Sequence, residues 1–356
     1  MRQRATDERS RLIERRGLAP SRWHGRRAWI LGFTIVVAAC GTVRPTPPAP
    51  PPASFTTTFA ASTAPGPIAT ITPLASTVPS LVISTLSVQL PDAVSRSVAF
   101  EDSGSILLAG GLTTKGTIGT IYRIDIPAGL VAVEGQLAKP VHDAGGALVG
   151  GVPMVFGGGN TAPESGVQGL GAGGGLVGEL PRARADLAVV AVDGTAFLVG
   201  GGTPSRLDTA VLSTRDGTHF RTLATLPNGV RYPAVAVVAG LIVVVGGTDG
   251  VHDRSEIETI DPATGAVRAV GKMPMGLAHA TAFVLDGRLL IAGGRAGGAA
   301  QDKIWDVDPT SGTVTLAGRL PRGVSDAAGV VVGGRAYLIG GEGTDFLASI
   351  VAISYA

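Results

Sequence analysis

Residues 279–294 read HATAFVLDGRLLIAGG, two apolar runs parted by Asp286-Gly287 and closed by a glycine pair. An Asp-Gly step between apolar runs signals a tight β-hairpin, because its turn needs positive φ at both central residues. A third run follows as DKIWDVD, then the turn DPTSG, then TVTLAGRLP ending on Leu320-Pro321. Pro309 suits the second position of that turn, and Gly312 supplies positive φ. The preceding stretch repeats the pattern as SEIETID, DPATG and AVRAVGKMP. One unit is therefore four short antiparallel strands joined by hairpins.

Six such units fill residues 81–356. Their glycine pairs close the runs LLAGG, MVFGG, FLVGG, VVVGG, LIAGG and YLIGG, beginning at Gly110, Gly157, Gly200, Gly246, Gly293 and Gly340. The spacings are 47, 43, 46, 47 and 47 residues. Nineteen residues separate Pro91, Pro181, Pro227, Pro274 and Pro321 from the glycine that follows each, and 17 separate Pro140 from its glycine. A near-constant period of this length means equivalent units that each bury a face against a neighbour. It weighs against a generic sandwich. Four-stranded units repeated around a ring make a propeller. The last copy stops at Ala356 after its third strand, SIVAISY. ISTLSVQLP (residues 83–91) aligns with TVTLAGRLP (residues 313–321), so an N-terminal strand is expected to complete the last blade. That closure removes an open sheet edge.

The glycine pairs, the D-P-x-T-G-type turns and the Leu-Pro endings resemble the kelch family along the whole of residues 81–356. The resemblance implies an all-β, six-bladed kelch-type β-propeller. The aromatic pair usual in that family is mostly missing: Tyr122 and Trp305 lie near the tyrosine position, and aliphatic residues such as Val314 hold the tryptophan position. The second copy is weak beyond its glycines (GLGAGGGLVG), and a distorted outer half is expected there.

The N-terminus has a different character. Residues 1–27 hold nine arginines and three acids, followed by the 13-residue apolar run AWILGFTIVVAAC. That run is short for a membrane span and reads as a secretory signal. Residues 37–40, Val-Ala-Ala-Cys, resemble the lipobox of bacterial lipoproteins, which implies lipidation of Cys40, the only cysteine in the chain. An uncleaved anchor helix and a chance Ala-Ala-Cys are the alternatives. Arg26-Arg27 also resembles a twin-arginine signal, so the general and twin-arginine export routes both stay open. Residues 41–80 are rich in Pro, Thr, Ala and Ser and cannot form a core. The expected organisation is a signal over 1–40, a tether over 41–80 and a propeller over 81–356. The protein is expected to be exported and anchored through Cys40 to the outer face of the bacterial cytoplasmic membrane or to the cell envelope. The formal charge of +2 is set by the leader; residues 81–356 carry 19 basic and 24 acidic side chains. A mildly acidic head with no basic patch excludes a nucleic-acid partner.

Chain alternation in a propeller places the fifth residue after each blade-ending proline near the mouth of the central channel. Those residues are Arg96, Asp186, Tyr232, His279 and Asp326, with Asp143 in the second copy, which is two residues shorter there. His142, Arg184 and Arg231 adjoin them. A polar collar of this kind suits a sugar, a short peptide or a cation. It equally suits a structural tie between blades, since buried polar groups must be hydrogen-bonded. The charged loop TDGVHDRSE (residues 248–256) matches no calcium or zinc spacing. No GxSxG, HExxH or Walker motif is present, so no catalytic residue, metal or cofactor is expected. Galactose oxidase chemistry is excluded, because it needs a cysteine cross-linked to tyrosine. The expected function is a membrane-anchored, non-enzymatic binding scaffold for a protein or glycan. The alternative is a sugar-processing enzyme resembling the kelch-type sialic acid mutarotases and using the collar.

Overall fold

The computed structural model describes residues 80–171 and 174–356. The expected signal over 1–40, with Cys40, and residues 41–79 of the expected tether lie outside them. The described residues form six antiparallel blades of four strands each, with a short extra strand, Arg206–Leu207, on the third and a two-stranded ribbon, Arg295–Ala296 with Ala299–Ala300, in the fifth, and no helix. Blade five is representative, with strands Thr281–Leu285, Arg288–Ala292, Lys303–Val307 and Val314–Arg319 in that order across the sheet. Its first hairpin pairs Leu285 with Arg288, and Asp286 and Gly287 take φ of 47° and 75°. Both are positive, as a tight primed turn requires.

Strand periodicity decides where the core lies. Along blade five, Leu289 and Ile291 point into a cluster shared with Val243, Val245 and Ile257 of blade four. The alternate residues Leu290 and Ala292 join Leu338, Val351 and Ile353 of blade six. Every blade is therefore apolar on both faces, and the buried residues fall into six clusters, one at each seam between neighbours. Tyr122 and Trp305 are buried within two of these seams.

Blade six is built from both ends of the described chain. Leu81–Gln89 pairs antiparallel with Ser349–Tyr355, with Leu81 opposite Tyr355 and Ile83 opposite Ile353. Blade two keeps four strands, and its departure from the others is a third strand cut to Gly166–Gly169. There the Gln168 amide accepts from the Lys139 N–H at 2.8 Å and donates to the Lys139 carbonyl at 3.0 Å, so a side chain bridges to blade one.

The glycine pairs stitch the seams. The second glycine of each pair donates its N–H to a carbonyl at the start of the next blade: Gly111 to Val141, Gly158 to Arg184, Gly201 to Val230, Gly247 to Leu277, Gly294 to Val324 and Gly341 to Val94, all at 2.7–2.9 Å. The last of these joins blade six to blade one. All twelve glycines have φ between 61° and 119°. At the first glycine of each pair, an added Cβ would lie 2.1–2.5 Å from that same carbonyl oxygen. The dipeptide is thus required twice over, by backbone conformation and by close approach.

Gly246→Val and Gly293→Val are expected to cost at least about 3 kcal/mol in denaturant unfolding, combining left-handed strain with a backbone clash. Gly287→Ala, at φ 75° with nothing within 4 Å of the new Cβ, should cost only about 1–2 kcal/mol. Similar losses at all three sites would show that the seam contact contributes little.

Candidate ligand site at the channel mouth

The collar is first a feature of the backbone. Arg96, Asp143, Asp186, Tyr232, His279 and Asp326 have φ between 51° and 62°, in the left-handed region. The other non-glycine residues with positive φ, Ser103, Asp193, Ala239 and Asp286, occupy hairpin turns. Each collar N–H donates to the carbonyl of the collar residue in the preceding blade. The bonds run Asp143 to Arg96, Asp186 to Asp143, Tyr232 to Asp186, His279 to Tyr232, Asp326 to His279 and Arg96 to Asp326, at 2.8–3.2 Å. Six backbone hydrogen bonds thus form a closed ring around the axis. Five of the six residues sit just before the innermost strand and not within it; Asp186 alone lies in a strand, Ala185–Val192. The left-handed turn takes the chain out of strand geometry at these positions.

All six side chains line one cavity of about 120 Å³. Beneath it, small residues including Ala144, Gly145, Ala188, Ala280 and Gly329 wall the central channel, about 200 Å³. The collar side chains are tied together. Arg96 donates to Glu342 at 2.9 Å and to Asp143 at 3.1 Å. Asp143 also accepts from the Tyr232 hydroxyl at 3.3 Å. Asp186 is paired with Arg231. His279 meets Asp326 through Nδ1 at 2.5 Å, and Ser325 donates to the other Asp326 oxygen at 2.7 Å. The Tyr232 ring stacks on His279 with centroids 3.7 Å apart, and the Arg231 guanidinium lies 5.7 Å from the Tyr232 centroid.

These contacts divide the carboxylates. Burial pushes the Asp143 carboxyl up to about 7; Arg96 opposes the shift, and the charges of Asp186 and Asp326 add to it. Burial also disfavours the ionised form of Asp326, but the hydrogen bond and charge of His279, with Arg96 and Ser325, outweigh it and hold that carboxyl below its usual value. Tyr232 is raised by burial and by Asp143 and Asp186, so its phenol stays protonated. Burial and the charge of Arg96 lower His142, whose Nδ1 lies 2.9 Å from the Thr117 hydroxyl.

Two charged residues of the network escaped the spacing from the prolines. Arg295 donates to Glu342 at 2.7 Å and approaches Asp326 at 3.5 Å. Glu342 also accepts from Ser95 at 2.8 Å. Both occupy the position just after a glycine pair, and that residue bridges the one preceding a collar residue: Ala278 with Arg295, Ser325 with Glu342. The pattern Gly-Gly-Arg and Gly-Gly-Glu was the available signal. Arg184 is placed elsewhere. It fills a slot that holds Val or Leu in the other blades, fully buried, donating to the carbonyls of Gly200 and Ala210 and lying 3.4 Å from Asp208. In the loop 248–256, Asp249 caps the N–H groups of Val251 and His252, and Asp253 accepts from the Gly297 N–H. No group of three or more metal-ligating side chains occurs among the described residues.

Residues 230–274 match the Kelch motif. Among solved structures, the chain is similar to that of YjhT, with a TM-score of 0.63 and 16% identity, over 75% of this chain and 96% of that one. No curated protein matches in sequence.

The Asp143 shift has a consequence for stability. In the unfolded chain this carboxyl titrates near 3.8 and in the folded chain near 7. Between those values unfolding releases its proton, so this group makes the fold less stable as pH rises. Urea midpoints measured from pH 4 to pH 7 should fall more steeply in the parent than in Asp143→Asn. Equal slopes would show that Asp143 is not shifted.

Proposed function

We propose that this protein is an exported, lipid-anchored kelch-type propeller that binds a small ligand, or one end of a larger one, in the collar. The observation that carries the reading is the choice of residues at six left-handed positions. Glycine adopts that conformation without penalty, asparagine, aspartate and histidine tolerate it next best, and other residues are strained there. A ring with a purely structural task would keep to glycine, asparagine or aspartate. The chain places Arg96 and Tyr232 at two of the six positions beside Asp143, Asp186, His279 and Asp326, all facing one cavity. Strain at a cavity lined by functional groups points to selection for those side chains. A protein or glycan ligand suits the collar's balanced donors and acceptors. The anchor rests on the leader alone: the basic stretch, the short apolar core and Cys40 at the end of Val-Ala-Ala-Cys.

A second reading has its own observation. His279, held at Nδ1 by Asp326, shares the cavity with Asp143, whose carboxyl titrates near 7. One group positioned to accept a proton and one to give it suit acid–base chemistry on a sugar.

One pair of variants separates these readings. Asp186→Ala and His279→Ala should lower affinity at least about tenfold for any ligand captured in a glycan and protein screen, with the fold retained by circular dichroism; such a loss is about 1.4 kcal/mol. Capture that is unchanged in both variants would remove the collar as the site. If the parent also speeds exchange between sugar anomers, followed by NMR, and His279→Ala abolishes it, the enzymatic reading stands.

The anchor is tested apart from the head. Cys40→Ala should leave the leader unprocessed and abolish incorporation of labelled fatty acid. A variant that still takes up the label would dismiss the lipoprotein assignment.

A further inference from the structure

The collar cavity of about 120 Å³ has a larger neighbour. A groove of about 700 Å³ lies on the same rim, lined by residues that include Thr114 of blade one, Arg295 of blade five, and Glu342, Thr344, Asp345 and Phe346 of blade six. The two cavities share a wall. Arg295 and Glu342 face the groove, while their bonding partners Asp326 and Arg96 face the collar. Arg96 and Arg295 alternate with Glu342 and Asp326 in a square of ion pairs: Arg96–Glu342 2.9 Å, Glu342–Arg295 2.7 Å, Arg295–Asp326 3.5 Å and Asp326–Arg96 3.9 Å. The groove has a structural origin. The second and third strands of blade one, Ser105–Thr113 and Gly116–Asp125, are nine and ten residues long, against five each in blade four. Their hairpin carries Thr114 beyond the rim.

We infer that this groove is a second subsite continuous with the collar, and that it takes the body of a hydroxyl-rich, uncharged chain, a short oligosaccharide with one end in the collar. This rests on the collar being a binding site. Size supports it: small-molecule sites usually enclose about 300–1,000 Å³, which the collar alone does not reach and the groove does. Chemistry supports it as well. Arg295 uses Nε for Asp326, Nη1 for the Gly298 carbonyl and Nη2 for Glu342. A guanidinium carries five N–H donors, so two stay available to accepting oxygens. Thr114, Thr344 and Asp345 are exposed and add hydroxyls and a carboxylate that accepts from sugar O–H groups. Phe346 supplies an apolar ring face. Glu342 holds both oxygens in bonds to Ser95, Arg96 and Arg295, which fixes the wall before any ligand arrives. Charges in that wall alternate and cancel, and the exposed Asp345 carboxylate adds a negative charge that disfavours an anionic chain.

The test is calorimetric titration of the full-length chain in detergent with glucose, galactose and N-acetylglucosamine and their di-, tri- and tetrasaccharides. Affinity should rise at least tenfold from mono- to tetrasaccharide for one series. Phe346→Ala and the groove-filling Thr114→Trp should remove that gain and leave the monosaccharide unchanged, whereas Asp186→Ala should weaken all members. Phe346 is half-buried, so Thr114→Trp on an exposed loop keeps the test valid if the first variant misfolds. Monosaccharide binding with no dependence on length would overturn the groove and leave the collar standing. Binding of tetrapeptides in place of every sugar would also overturn it, and silence from all the sugars would count against both sites.

Discussion

A ring of six backbone hydrogen bonds, passed from collar residue to collar residue, is the constraint on which the rest of this molecule depends. Each collar residue gives its N–H to the blade before and its carbonyl to the blade after. Left-handed φ is what points both groups along the ring. The same turn throws the side chain toward the axis, so closing the ring and lining the cavity are one event. The glycine pairs form a second ring of six bonds farther from the axis. Together they leave few backbone groups unpaired at the centre, where an orphaned donor or acceptor would cost about 1–3 kcal/mol.

The charges gathered by this ring are distributed unevenly. Near the junction of blades five, six and one, two arginines and two carboxylates alternate in a square with serine hydroxyls beneath. Across the axis, Asp186 relies on Arg231. Asp143 lies between these groups and shares Arg96 with Glu342. Buried carboxylates ionise only where partners compensate for lost hydration. Burial outweighs Arg96 at Asp143 and raises its carboxyl to about 7.

The propeller was legible because its constraints repeat. A glycine that faces a carbonyl at 2.1–2.5 Å has no substitute, so it recurs at each seam. The prolines and glycines then counted out the collar, since equal spacing in a ring means equal height. The left-handed backbone there was only partly legible: Asp and His tolerate positive φ, but Arg and Tyr carry no signal for it. Arg295 and Glu342 were hidden for another reason. The equivalent positions hold Leu112, Gly159, Gly202 and Thr248, so no shared residue type marks the place. Arg184 misled because a polar residue beside the collar can turn outward as readily as inward. It turned toward Asp208, 3.4 Å away.

The closure of blade six also governs the order in which the fold is assembled. Leu81–Gln89 is the first strand of the propeller to be synthesised, and its partner Ser349–Tyr355 is the last. Five blades can form as a growing arc, each docking on its predecessor. Blade six cannot be completed until Ser349–Tyr355 has been made. Until then the arc presents unpaired edges and bare apolar seams, the features that draw one chain into another. The bond from Gly341 to Val94 and the collar bond from Arg96 to Asp326 must wait with it. Contacts this distant in sequence slow folding. The collar cavity is thus the last part of the propeller to be completed, and a chain truncated before Ser349–Tyr355 would carry most of the propeller without a finished collar.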